Sequence, residues 1–151
     1  MFLLSFIAVI FIIGLCMGFS GTALLYLIDI PSLIIIILPV FVALIQTGLW
    51  KDFNNSFRLT IGKKANASFK EIKQAISALQ LVRKTVVYAA VFAFAVSIIT
   101  ILTQLTDMGA LGPNLAVAVL SVVYAVFFNL IFLPMEKQLE VQLIEFDGEE
   151  L

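Results

Sequence analysis

The chain has 151 residues, of which 62% are hydrophobic, and carries a formal net charge of −1. A soluble domain averages about 45–50% apolar residues, so this composition and a mean hydropathy of +1.14 predict an integral membrane protein. The small net charge argues against nucleic-acid binding, and the presence of one Cys and no His excludes an internal disulfide and the usual zinc ligand sets.

Four segments are long enough to cross a bilayer, which takes about 20 mostly apolar residues. None has Asp, Glu, Lys or Arg in its interior, and they cover residues 2–25, 31–50, 85–106 and 113–134. The first segment has no Lys or Arg ahead of its apolar run, as a secretory signal would, and is interpreted as a retained span. The predicted fold is therefore all-α, a single polytopic membrane domain over residues 1–151.

Helix-start signals precede the second predicted span. Asp29 is followed by Pro31 and Ser32, and a polar residue with Pro in the first turn is typical of a helix N-terminus. Pro39 lies inside the same span, where it is expected to kink the helix.

The basic residues predict the orientation of the chain. Eight of the nine Lys and Arg fall in residues 51–84: Lys51, Arg58, Lys63, Lys64, Lys70, Lys73, Arg83 and Lys84. The positive-inside rule therefore assigns this segment to the cytoplasm. Both termini then face the cytoplasm, and the turns near Asp29 and Asp107 lie on the outer side.

Residues in the predicted cytoplasmic segment and at the two ends of the fourth span predict a helix, a turn and a tail. Ser68 and Glu71 have the spacing of a capping box, and apolar residues at helical spacing after it predict a helix that continues into the third span. Gly112 and Pro113 predict a tight external turn over residues 107–113. Residues 136–151 are expected to form an acidic, exposed tail.

The third and fourth predicted spans each carry one stripe of small and polar residues. On a helical wheel, one stripe comprises Ala90, Ala93, Ser97, Thr100, Gln104 and Asp107, and the other Asn114, Ala118, Ser121, Ala125 and Asn129. Such stripes commonly hold membrane helices together. Alternatively, they line the lumen of an oligomer. The stripes alone favour helix contact, and four helices could also bury both stripes against each other within one subunit.

No carboxylate, amine or imidazole side chain lies at membrane depth, since Asp29 and Asp107 are predicted at the outer edge. Proton relays and ion pumps generally need such a group inside the membrane. If the chain belongs to an ion-driven machine, the titrating carboxylate must come from another chain. The sequence also offers no nucleophile–base pair and no metal-ligand set, so we expect no enzyme activity, cofactor or metal.

Two blocks resemble the MotA/TolQ/ExbB family. Residues 28–33 (IDIPSL), leading to Trp50-Lys51-Asp52, are similar to the second-helix region of MotA-type stator subunits. Residues 111–124 (LGPNLAVAVLSVVY), followed by Asn129 and Pro134, are similar to the fourth helix of that family. Asp29, Pro31, Ser32, Gly112, Pro113, Tyr124 and Pro134 are the motif positions that this resemblance marks as structural.

The resemblance implies a homopentamer in a bacterial-type cytoplasmic membrane, with the third and fourth helices around a central pore. In that family the pore holds a dimer of MotB-, TolR- or ExbD-type single-span partners, each with a membrane Asp. The implied ion-path residues here are Ser97, Thr100, Gln104, Asn114, Ala118, Ser121, Ala125 and Asn129. Segment 51–84 stands in place of the large cytoplasmic domain of stator subunits, which argues against direct torque on a flagellar rotor.

Two functions follow from the sequence. The first is a ring subunit of an ion-driven membrane motor or energiser that surrounds an Asp-bearing single-span partner dimer. The second is a stand-alone homo-oligomeric pore or scaffold, with lipid or water in its lumen and no ion coupling.

Overall fold

The computed structural model describes residues 29–61, 68–103 and 108–149, together with Ile7, Phe11 and Gly14. Over these residues it contains four helices and no strand: α1 (Ile30–Thr47), α2 (Trp50–Ile61), α3 (Phe69–Thr103) and α4 (Met108–Glu149). α1, α3 and α4 are long and apolar enough to cross a membrane. The prediction of an all-α membrane protein is confirmed for these residues. The first predicted span, residues 2–25, lies almost wholly outside them.

α1 begins and ends at residues whose chemistry explains both boundaries. Asp29 is its N-cap, and the carboxylate accepts a hydrogen bond from the Ser32 N–H at 3.0 Å, while Pro31 occupies the first turn. The helix ends at Thr47, short of the predicted residue 50, because Gly48 takes a left-handed conformation with φ of 70°. In that conformation Gly48 donates its N–H to the Ile45 carbonyl at 3.1 Å.

Segment 51–84 is mostly helical, because α2 and the first part of α3 fall within it. The Ser68 N–H donates to Glu71 Oε2 at 3.0 Å, as in the predicted capping box. α3 then continues without a break to Thr103, which confirms that the helix predicted after Ser68 and the third predicted span are one helix.

Two predictions about the fourth span were wrong. Gly112 and Pro113 lie inside α4 rather than in a turn, since the helix already begins at Met108. Gly and Pro are tolerated in membrane helices because neighbouring groups satisfy the backbone groups that they free. α4 also continues through Pro134 to Glu149, where the sequence predicted an acidic tail. Met135 and Leu139 are fully buried, so packing on the other helices holds this part of the chain helical.

The core lies among all four helices, with α3 and α4 forming the largest contact. The largest fully buried apolar side chains are Ile36, Leu44, Ile72, Leu79, Met135, Leu139 and Val82. α2 packs across this core through Phe53 and Phe57, whose rings meet Phe132 edge-on at centroid distances of 5.8 and 6.4 Å.

The outer faces of the membrane-length helices remain apolar and exposed. Ile45, Phe92 and Ile144 are exposed to 68%, 68% and 70%. A soluble monomer does not expose contiguous apolar surface of this kind, whereas a bilayer or neighbouring membrane chains would cover it.

Candidate functional site

A polar network joins the residues just before the predicted third span to the end of the predicted fourth span. Arg83 Nη1 donates to Glu136 Oε2, and Gln80 Nε2 donates to Glu136 Oε1 at 3.1 Å. Arg83 Nε donates to Asn129 Oδ1 at 3.1 Å. The Glu136 side chain is only 6% exposed and that of Arg83 is 24% exposed, so a charged pair is held largely away from water.

Helical spacing and antiparallel packing bring these residues together. Gln80 and Arg83 are three residues apart and share a face of α3, while Asn129 and Glu136 are seven apart and share a face of α4. Gln80 and Arg83 both reach Glu136, so both carboxylate oxygens have donors. A buried carboxylate without such donors would carry a large desolvation cost.

Asn129, predicted as an ion-path residue, is part of this network. Its Oδ1 accepts from Arg83 at 3.1 Å and its Nδ2 donates to the Ala125 carbonyl at 2.9 Å. The amide therefore connects the Arg83 guanidinium to the backbone of α4 and fixes the position of that guanidinium.

A second polar contact ties the start of α1 to α4. The Asp29 backbone N–H donates to Tyr124 Oη at 2.8 Å, and Ser32 Oγ donates to Asp29 Oδ2. Tyr124 is 7% exposed and Ser32 is 1% exposed. Asp29, Ser32 and Tyr124 thus form one contact. The resemblance marks all three as structural, and they come from two distant blocks of sequence.

This contact places Asp29 at a different position along the bundle axis from the one predicted. Tyr124 lies sixteen residues beyond Met108 in α4, which is about 24 Å along the axis at 1.5 Å per residue. Asp29 therefore lies beside the middle of the apolar part of α4. The sequence had predicted it level with the turn that precedes α4.

The small-residue stripes of α3 and α4 are each largely buried within the chain. Ala118 and Ser121 are fully buried, and Ser97 and Ala125 are each 8% exposed. The Ser97 hydroxyl donates to the Ala93 carbonyl at 2.9 Å, and the Ser121 hydroxyl donates to the Ala118 carbonyl at 2.8 Å. Both hydroxyls thus donate their hydrogen bonds to carbonyls of their own helix, as Ser commonly does in membrane helices.

The remaining predicted positions are spread along the two helices. Thr100 and Asn114 are half-buried, and the Thr100 hydroxyl donates to the Val96 carbonyl at 3.0 Å. Gln104 lies outside the described residues. Pro31, Gly112 and Pro113 are exposed, and Pro134 is half-buried two residues before Glu136. The assignment of these side chains to an ion path stays a prediction.

Arg83, Glu136 and Gln80 were not among the predicted site residues. Their positions in the sequence already indicated a pairing of opposite charges. Arg83 lies just before the third predicted span, and Glu136 lies just after the fourth. Because a short connection makes these spans antiparallel neighbours, opposite charges at the ends away from that connection are placed side by side.

The described part of the site is built for holding helices together. Residues 85–103 of α3 and 113–134 of α4 contain no Asp, Glu, Lys or Arg, and the described residues contain no cluster of metal-ligand type. Hydrogen bonds and one ion pair link α1, α3 and α4 around the buried apolar core.

The three long apolar helices define a helical membrane protein. Comparison of the chain with protein-family models, with curated proteins and with solved structures gives no significant match.

Proposed function

We propose that this chain is a ring-forming subunit of an ion-driven membrane motor or energiser. In this proposal, copies of α3 and α4 surround a dimer of single-span partners, and each partner carries the membrane Asp. The resemblance of residues 28–33 and 111–124 to the MotA/TolQ/ExbB family supplies the architecture, including five copies of the chain.

One observation carries the proposal. Asp29 and Tyr124, one from each of the two blocks that carry the resemblance, are in direct hydrogen-bond contact. The two blocks therefore act as one structural unit, as expected if both belong to a shared architecture. Residues 85–103 and 113–134 contain no charged residue, and the Asp29 carboxylate beside α4 accepts hydrogen bonds from Ser32 as the cap of α1. In this proposal the titrating carboxylate therefore comes from a partner.

A second candidate function is a homo-oligomeric pore or scaffold without ion coupling. The burial of Ser97 and Ser121 within one chain favours it, because hydroxyls bonded to their own helix serve packing without any ion path.

Purification from native membranes in a mild detergent tests both functions. We expect a complex in which a second, shorter chain with one span and a membrane Asp accompanies the ring, identified by mass spectrometry of the intact assembly. Recovery of a homo-oligomer alone, at a protein concentration where the ring stays assembled, would favour the scaffold and contradict the motor.

A further inference from the structure

A groove on the surface between α3 and α4 changes from polar to apolar along its length. Its polar part has a volume of about 370 Å³ and is lined by residues that include Arg83, Lys84, Tyr88 and Glu136. Its apolar part has a volume of about 390 Å³ and is lined by residues that include Val91, Val122, Val126, Leu130 and Leu133. Val87 and Asn129 line both parts, so the groove is continuous.

The groove follows one face of each helix. Lys84, Tyr88 and Val91 recur at intervals of four and three residues on α3, which places them on one face. Tyr88 is 71% exposed and Val91 is 61% exposed, while Val126 on the opposite wall is 54% exposed. The described part of the chain therefore leaves the groove open along its length.

The polar end of the groove carries an uncompensated positive charge. Glu136 is ion-paired with Arg83, and its other oxygen accepts from Gln80. Lys84 is exposed and makes no hydrogen bond or ion pair with any described residue. One ammonium group beside the Tyr88 ring therefore remains available to an anion at this end.

The order of these groups along α3 matches a membrane interface. Lys side chains extend their charge toward the headgroups, and Tyr is enriched at the same level. The apolar residues that follow, Val87 and Val91, lie where hydrocarbon begins. The basic segment 51–84 assigns the polar end of the groove to the cytoplasmic leaflet, and that leaflet is rich in anionic lipid.

We propose that this groove binds one anionic phospholipid. The lipid phosphate lies at Lys84 and Tyr88, and one acyl chain lies along Val87, Val91, Val126 and Leu130. A free phosphate would leave the apolar part uncovered, whereas a phospholipid supplies an anion and a hydrocarbon chain in one molecule. The proposal needs α3 and α4 to lie in a bilayer and does not rest on the motor function.

Native mass spectrometry of the full-length protein, purified in detergent, provides the test. The protein is incubated with phosphatidylglycerol or with phosphatidylcholine of the same acyl chains, and retained lipid is counted. Lys84→Gln is compared with Lys73→Gln, an exposed lysine on α3 outside the groove. Val126→Phe is compared with Val119→Phe, since the two valines are 54% and 52% exposed but only Val126 lines the groove.

The wild-type protein is expected to retain phosphatidylglycerol over phosphatidylcholine. Lys84→Gln lowers that preference about fivefold, because a basic residue near an anionic surface contributes about 1 kcal/mol, and Lys73→Gln leaves it unchanged. Val126→Phe lowers retention of both lipids, and Val119→Phe does not.

Results of three kinds would overturn the proposal. The first is equal retention of the two lipids, or an equal loss in both lysine variants. The second is complete displacement of phosphatidylglycerol by inorganic phosphate, which would show that only the headgroup is bound. The third is crosslinking of Val126→Cys to a second copy of the chain in membranes, with no retained lipid, which would show that protein covers the groove.

Discussion

The backbone N–H of Asp29 donates a hydrogen bond to the Tyr124 hydroxyl oxygen at 2.8 Å, across 95 residues of sequence. The Tyr124 hydroxyl also lies 3.5 Å from the Asp29 carbonyl oxygen, so it can donate to that oxygen in turn. The start of α1 is thereby fixed beside the middle of α4. This contact sets how far α1 is displaced along the bundle axis, which neither helix specifies by itself.

Replacement of Tyr124 with Phe tests that role. The variant keeps the ring but removes the acceptor for the Asp29 N–H, and we expect a loss of about 1 kcal/mol in the free energy of unfolding. Tyr88→Phe, compared in protein freed of bound lipid, is the matched control, because Tyr88 is 71% exposed and should tolerate the change. Unfolding in detergent, followed by circular dichroism, measures both. Equal stability of Tyr124→Phe and wild type would contradict a structural role for this hydrogen bond.

Replacement of Glu136 with Gln tests the polar network. The Arg83 guanidinium would lose its carboxylate partner in a site where water has little access, and breaking a buried pair costs about 3–5 kcal/mol. We expect a loss below that range, because the Arg83 side chain is 24% exposed and water offsets part of the cost.

Glu140→Gln is the control for this prediction. Glu140 pairs with Lys137 at 2.6 Å, but the two side chains are 32% and 62% exposed. An exposed pair contributes little, so we expect a stability close to that of the wild type. The same denaturation experiment compares the two variants, and equal losses would show that burial of Glu136 contributes nothing to the cost.

Enlargement of Ser121 tests whether the small-residue stripe is packed within the chain. Ser121 is fully buried, so Ser121→Leu should overpack the bundle and cost about 1–3 kcal/mol. Ser121→Ala should be well tolerated, since only a hydrogen bond to its own helix is lost. Val122→Leu is the matched control, because Val122 is 45% exposed.

Thermal unfolding and gel filtration in detergent measure these variants. A Ser121→Leu protein that keeps its stability but loses ion flux in a reconstituted complex would instead support a lumen-facing Ser121. That outcome would contradict intrachain packing as the role of the stripe.

The orientation predicted from the basic residues is tested by cysteine labelling. In a Cys16→Ser background, Lys70→Cys should react with a membrane-impermeant maleimide only after the cytoplasmic side is exposed, because positively charged segments are retained there. Gly109→Cys, near the start of α4, should react from the outer side. The reverse pattern would contradict the assigned topology.

The sequence by itself determined the class of protein and the positions of α1 and α3, whereas α2 was not predicted and α4 extends beyond both predicted ends. Long charge-free apolar segments predict membrane helices because an uncompensated charge in hydrocarbon is costly. The capping box at Ser68 and the start of α1 at Asp29 were readable because these interactions span only a few residues. Gly112, Pro113 and Pro134 misled the prediction, since residues that usually break helices are tolerated when the surrounding chain favours the helix.

Only the tertiary structure decided which distant residues meet. The contact of Asp29 with Tyr124 and the network of Gln80, Arg83, Asn129 and Glu136 depend on how far each helix is displaced along its neighbour. Helical periodicity specifies the face on which a residue lies and leaves this displacement undetermined. The displacement of each helix along its neighbour follows from the burial of Leu79, Met135 and Leu139 in one core. It also follows from the need to give Glu136 its hydrogen-bond donors.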